Sequence, residues 1–299
     1  MLSKPEQNLI KIYENSFRQN WTLEAVTDYG TTNTLTYAQL AENIAKLHLL
    51  FNQAGIEEGD KIAVMGKNNA NWVTTFLAAV TYGAVIVPIL QDFKANDAIH
   101  IVNHSESKLL FITDLIWENI DAEQVPELKV VLSLNNMEMI LSRLPMEQAV
   151  DKMTIEDLFA EKYPNGFSID DVHYIERSNA ELASINYTSG TTGNPKGVML
   201  SQRNLISNMI LSIESIWFPK GTVCVLPLHH TFGMMASVLC QLFCGFPIFM
   251  NDNLKYVLRD IKEAKPGHVS VVPLFLESFY KGIWKNAKKS GKDKALKAL

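Results

Sequence analysis

Two stretches of this chain share a pattern that few folds can satisfy: a helix-length apolar run ends on glycine and gives way at once to a short apolar run carrying proline. In the first, the run from Asn71 meets Gly83 and then Ala84-Val85-Ile86-Val87-Pro88. In the second, the run from Gly233 to Phe243 precedes Gly245 and then Phe246-Pro247-Ile248-Phe249. Glycine reaches positive φ freely and so closes a helix at its carboxyl end. Each stretch therefore reads as a buried helix followed by a buried strand. A strand that is apolar throughout has no solvated face and needs cover on both sides, as in a parallel sheet. The uncharged runs Trp72 to Gln91 and Thr231 to Met250 are long enough to imitate membrane spans. Their internal glycine and proline fit the helix-then-strand reading better.

The same pattern extends along the chain. Thr36-Tyr37-Ala38-Gln39 is a capping box that opens a helix with Leu40, Ile44, Leu47 and Phe51 on one face, running to about Ala54 and stopping at Gly55. The strand Ile62 to Met65, the helix from Asn71 and the strand after Gly83 make a βαβ unit over residues 61–88. Leu109 to Ile112 and Val130 to Leu132 are further buried strands. Between Ser142 and Ser178 the pattern weakens into a polar stretch with an acidic helix at Ile155 to Glu161. A second series follows: strand Ala183 to Tyr187, a Gly-rich loop, helix Arg203 to Ile216, strand Thr222 to Leu226, helix Gly233 to Phe243, strand Phe246 to Met250, helix Leu254 to Ala264 and strand His268 to Val272. The expected fold class is α/β, with mostly parallel sheets, helices on both faces and two similar subdomains at 1–170 and 171–299.

Composition narrows the function. With 27 Lys and Arg against 32 Asp and Glu the net charge is -5, which argues against a general nucleic-acid binder. Cys224, Cys240 and Cys244 sit in apolar runs without metal-ligand spacing and read as buried reduced thiols in a cytoplasmic protein. Met1 to Lys11 holds three charged residues and no signal-peptide core. The stretch Lys281 to Leu299 has seven lysines and one aspartate, the pattern of a solvated helix face. It is still in helical register at its last residue, so the expectation is a cut through an element.

The chemistry concentrates in Tyr187-Thr188-Ser189-Gly190-Thr191-Thr192-Gly193-Asn194-Pro195-Lys196-Gly197. After a strand, Gly190, Gly193 and Gly197 allow close backbone approach, four hydroxyls (Thr188, Ser189, Thr191, Thr192) donate hydrogen bonds, and Lys196 supplies charge. That set suits a polyphosphate. The segment is not the common NTPase P-loop, because Pro195 stands where that loop needs glycine and Gly197 stands where it needs a metal-binding hydroxyl.

Thr-Ser-Gly-Thr-Thr-Gly-x-Pro-Lys-Gly over Thr188 to Gly197 resembles the signature of the adenylate-forming, AMP-binding superfamily. Two other blocks agree with it: Gly59-Asp60-Lys61 through Val87-Pro88, and Leu226-Pro227-Leu228-His229-His230-Thr231-Phe232-Gly233. The resemblance implies that Thr188, Ser189, Gly190, Thr191, Thr192, Gly193 and Lys196 grip the β- and γ-phosphates of ATP, that the Thr188 hydroxyl helps to hold Mg2+, and that His230 lies beside the acyl carboxylate. His229 matches less well.

Val271-Val272-Pro273 and the Lys-rich segment after it are similar to long-chain acyl-CoA synthetases. This implies a fatty acid substrate, with CoA as the accepting thiol. The family's adenosine-contacting blocks and its mobile carboxyl-terminal domain find no counterpart, so the resemblance implies the amino-terminal part of a ligase, inactive by itself. An adenylation module for an amino or aryl acid, and a non-catalytic acyl- or nucleotide-binding protein, are the competing readings. Homodimerisation and at most peripheral membrane contact stay open.

Overall fold

A computed structural model describes residues 8–29, 33–145, 152–188, 195–216, 220–251 and 253–297. In chain order the elements begin with α1 (Leu9–Gln19), β1 (Glu24–Asp28), β2 (Asn33–Thr36), α2 (Tyr37–Gln53), β3 (Lys61–Met65), α3 (Ala70–Tyr82), β4 (Val85–Ile89), α4 (Ala95–His104) and β5 (Ser107–Ile112). They continue with α5 (Asp114–Trp117), β6 (Val130–Ser133), β7 (Met139–Ser142), α6 (Lys152–Lys162), β8 (Leu182–Thr188), β9 (Lys196–Ser201), α7 (Gln202–Ser215) and β10 (Thr222–Cys224). The last are α8 (Thr231–Met234), α9 (Cys240–Phe243), β11 (Ile248–Met250), α10 (Val257–Ala264), α11 (Pro273–Lys289) and α12 (Asp293–Lys297). A π-helical turn at Met235–Leu239 joins α8 to α9.

The strands form two sheets. The larger has seven strands in the order β7-β6-β5-β3-β4-β8-β9, parallel except for its two edges. The smaller has the order β10-β11-β1-β2, with β10, β11 and β1 parallel. This is the expected α/β architecture with mostly parallel sheets. Alternate residues of β3 and β4 go to opposite faces. Ile62, Val64 and Ile86 join a core shared with α1, α2, α3, α7 and the helix from α8 to α9. Ala63, Met65, Val85, Val87 and Ile89 pack under α4. The shared core also takes Ala25, Val26, Ile248 and Met250 from the smaller sheet, whose other face carries Val223 beneath α10 and α11. The result is five alternating layers of helix and sheet.

The local signals behave as their chemistry requires. Thr36 and Gln39 form the capping box of α2. Gly83, at φ 92°, closes α3, and Gly245, at φ 74°, follows α9. Both apolar runs resolve into helix and strand, and among the described residues no helix is long and apolar enough to cross a membrane.

Four findings depart from the expected pattern. Sheet membership crosses the expected boundary at residue 170 in both directions: β1 and β2 join β10 and β11, while β8 and β9 extend the first sheet. The polar stretch before β8, where the subdomain boundary was expected, packs on α1: Arg18 Nε donates to Val172 O at 2.9 Å and Tyr174 N donates to Glu14 Oε2 at 2.7 Å. Residues 268–272 form no strand. Pro-Gly precedes them and Pro273 follows, and only an isolated bridge between Thr222 and His268 remains. Finally, β9 lies where a loop was expected to run into a helix.

Asp28 ties the two sheets together. It ends β1 and accepts hydrogen bonds from the first amide of α3, Ala70 N, at 2.9 and 3.1 Å. Burial raises its pKa to about 6 from 3.8. The folded value exceeds the unfolded one, so the associated stability is present at low pH and is lost as pH rises through about 6. Asp28→Asn keeps an oxygen for Ala70. Its unfolding free energy relative to the parent is expected to rise by up to about 3 kcal/mol between about pH 4 and pH 7 in urea titrations. A constant offset would refute this assignment.

Gly83 is constrained twice, since a Cβ there would also lie 2.8 Å from Arg177 Nε. Gly83→Ala is therefore expected to cost about 1–3 kcal/mol in the same measurement.

Candidate active site

The carboxyl ends of the parallel strands in both sheets converge on one edge, the position at which open α/β sheets place ligands. β8 ends there at Thr188, and β9 returns antiparallel from Lys196, with Thr188 and Lys196 directly opposite each other. The glycine-rich segment thus connects a β-hairpin. Of the residues singled out in the sequence, Ser189, Gly190, Thr191, Thr192 and Gly193 lie outside the described residues. Thr188 and Lys196 are exposed at the loop end of the hairpin, which leaves a hydroxyl and an ammonium group side by side for an anion and its counter-ion.

Gly197 has a different role from the one the sequence suggested. It pairs with Tyr187 inside the hairpin, and a Cβ on it would meet Ile185 Cγ2 at 2.8 Å and the Tyr187 ring at 3.2 Å. Its missing side chain lets β9 lie close to β8. Tyr187, the first residue of the motif, hydrogen-bonds through its hydroxyl to His104 Nδ1 at 2.7 Å and so fastens the hairpin to α4.

The second block, Leu226 to His230, is pinned to the first sheet by two asparagines. Asn68, just past β3, donates to Leu226 O at 2.8 Å and accepts from Leu228 N at 3.0 Å. Its primary amide matches the donor and acceptor of a peptide, so it substitutes for a neighbouring strand. Asn186, in β8, donates to His229 O at 3.2 Å, while its Oδ1 accepts from Ser184 Oγ at 2.8 Å. Sequence reasoning did not identify either asparagine. The visible signal was polar Ser184 and Asn186, two apart in an otherwise apolar strand.

The two histidines have opposite environments. His230 is exposed and precedes the first residue of α8, within reach of an arriving substrate. His229 turns inward. Its ring lies 4.1 Å from that of His230, and its buried Nε2 has no partner among the described residues. Burial, and secondarily the proximity of His230, lowers its pKa to about 4, so it is neutral at physiological pH. It lines a small crevice of about 160 Å3 with Lys67, Asn68 and Asp92.

A larger cavity, about 710 Å3, opens beside the start of α8. Val198 and Leu200 of β9, Leu205 of α7, Phe232, Met234 and Val269 are among its walls, and no lining residue among the described ones is acidic. Cys224 and Cys240 are buried free thiols whose pKa burial pushes up to about 12, and Cys244 is half-buried. They are neutral packing groups.

Comparison with known proteins bears on the family and the fold. The model of the AMP-binding enzyme family matches residues 13–299. The chain is 26% identical over 242 residues to long-chain-fatty-acid–CoA ligase 5 of Rattus norvegicus, covering 76% of this chain and 34% of that protein. It is 27% identical over 264 residues to long chain acyl-CoA synthetase 3 of Arabidopsis thaliana, covering 83% and 38%. Among solved structures it resembles apo MatB from Rhodopseudomonas palustris, with a TM-score of 0.71, 21% identity and coverage of 90% and 50%. It also resembles the anthranilate CoA ligase AuaEII, with a TM-score of 0.72, 17% identity and coverage of 88% and 48%. At these identities the two structures speak to the fold alone. The chain spans well under half the length of these two curated relatives. The family match, by contrast, runs over nearly the whole chain, and this chain belongs to the AMP-binding enzyme family.

Proposed function

We propose that this chain is the amino-terminal part of an ATP-dependent acid:thiol ligase that activates a fatty acid as its acyl-adenylate and passes it to CoA. The observation that carries the reading is the apolar cavity of about 710 Å3 that opens next to His230 and is bordered by β9, the strand that begins at Lys196. A carboxylate held near His230 can extend its chain into that space while its head faces the phosphate hairpin.

In the proposed reaction a carboxylate oxygen attacks the α-phosphorus of ATP and the bond to the bridging oxygen breaks, so pyrophosphate leaves. The CoA sulfur then attacks the acyl carbon and AMP departs with the electron pair of the broken C–O bond. The hairpin supplies charge neutralisation: Lys196 and the hydroxyls from Thr188 onward would hold the β- and γ-phosphates. Mg2+ would supply further neutralisation there, with the exposed Thr188 hydroxyl as a fitting oxygen ligand. His230 would orient the carboxylate, and neutral His229 behind it adds no competing charge. An amino-acid adenylation module would call for an acidic partner for the substrate ammonium, and none lines the cavity among the described residues.

The test is fatty-acid-dependent pyrophosphate release from Mg-ATP, measured on the 299-residue chain and on the longer ligase frame. Release is expected from the longer frame alone, with long-chain acids the best substrates. Turnover with amino or aryl acids only would replace the fatty-acid reading, and no turnover with any acid would favour a non-catalytic binding protein. In the active frame, Thr188→Ala and Lys196→Ala are each expected to lower kcat/KM by about 100-fold. Asn68→Ala, which releases the His229-His230 segment, is expected to lower it by about tenfold without touching substrate. Unchanged rates in the Lys196 variant would remove the hairpin from the mechanism.

A further inference from the structure

A second concavity lies at the opposite edge of the seven-stranded sheet, beside the amino-terminal ends of β3 and β4. Its volume is about 460 Å3, and His48, Tyr82, Lys162, His173, Tyr174 and Arg177 are on its wall. Part of that wall is aromatic. The His48 ring stands edge-on to Tyr82 at 5.4 Å and to Tyr174 at 5.6 Å. The phosphate hairpin, at the carboxyl end of β8, is remote from it along the sheet.

Two hydrogen-bond donors around this cavity have no acceptor among the described residues. Tyr174 is 5% exposed, and its buried hydroxyl has no partner among the described residues. Among the described residues Arg177 Nε is likewise buried and unpartnered, while its Nη1 is committed to Glu58, the one carboxylate they place on the wall. Lys162 makes no ion pair among the described residues; its Nζ lies 5.4 Å from the Tyr163 ring centroid. The backbone makes room for this arrangement, because the space a Cβ on Gly83 would fill lies against Arg177 Nε. A buried donor left without an acceptor carries the full cost of its desolvation; both atoms are closed off from water, so an acceptor entering the cavity would remove that cost by drawing the Tyr174 and Arg177 side chains a short way toward it.

We propose that this cavity binds a small organic oxyanion, a carboxylate or a phosphate ester, with Lys162 countering its charge and Tyr174 Oη and Arg177 Nε donating to its oxygens. Such a ligand bridges the connection at residues 162–177 to α2 and α3, the helices that cover the central strands. The site is independent of the ligase reading, and either can fail alone.

Calorimetric titration of the 299-residue chain with citrate, and separately with inorganic phosphate, at matched ionic strength tests the proposal. Saturable single-site binding tighter than about 10 mM is expected for at least one of them. Tyr174→Phe and Lys162→Gln should each weaken it about tenfold, and Lys196→Ala should leave it unchanged. Tyr174→Phe keeps the ring packing, and a urea unfolding curve that overlays the parent's separates lost binding from lost structure. Preference for citrate assigns a carboxylate ligand, and preference for phosphate assigns a phosphate ester. The proposal is overturned if neither anion binds saturably, if both cavity variants bind as the parent does, or if Lys196→Ala abolishes a binding that Tyr174→Phe leaves intact.

Discussion

β4 buries every one of its side chains and β3 all but its first, so neither strand has a face that water can cover. That constraint organises the molecule. Ile62 and Val64 require helices on one side, and Ala63 and Met65 require them on the other. Right-handed parallel crossovers meet both demands and bring the carboxyl ends of the strands to one edge. A second sheet then uses the far side of the inner helices, which is why one continuous core runs from β3 to Met250. The cost of leaving those strand faces wet is what brings α1 and β1 against β11 and the helix from α8 to α9.

At the edge where the sheets meet, backbone groups are satisfied by side-chain amides instead of by a continuous ladder. Asn68 and Asn186 hold the segment before α8 at a fixed distance from β8, and Asp28 holds β1 to α3. These polar contacts leave open space beside them, which a ladder of strands would have filled. The crevice at His229 and the apolar cavity beyond His230 occupy that space. The same logic separates two adjacent histidines into a half-buried neutral one and an exposed one, although their sequence neighbourhoods are nearly identical.

Much of this was legible beforehand. Thr36 with Gln39, and Gly83 and Gly245 after their helices, are local devices whose energetics depend on neighbours a few residues away. They formed as read. The Thr188 to Gly197 motif and the block at His230 identified the family for the same reason: the family's signature is a fixed set of residue types in a fixed order. β9 was missed because Val198 and Met199 are exposed, and a strand of an antiparallel edge hairpin carries no buried-strand signature. The run at 268–272 was read as a strand because it is apolar, yet it has no partner to complete a ladder.

The sequence by itself determined the element types, the caps, the parallel character of the sheets and the family, because each follows from short-range geometry and from the burial demanded by apolar runs. Tertiary structure alone decided which strands are neighbours. β1 holds a single fully apolar pair, Ala25 and Val26, and nothing local states that its partner is β11, more than two hundred residues away. It also decided that Gly197 serves strand packing, that Asn68 replaces a missing strand, and that Tyr174 Oη and Arg177 Nε find no acceptor among the described residues around a cavity. Such facts depend on where distant groups come to rest, and pairing, burial and empty space are properties of the packed chain that no short segment encodes.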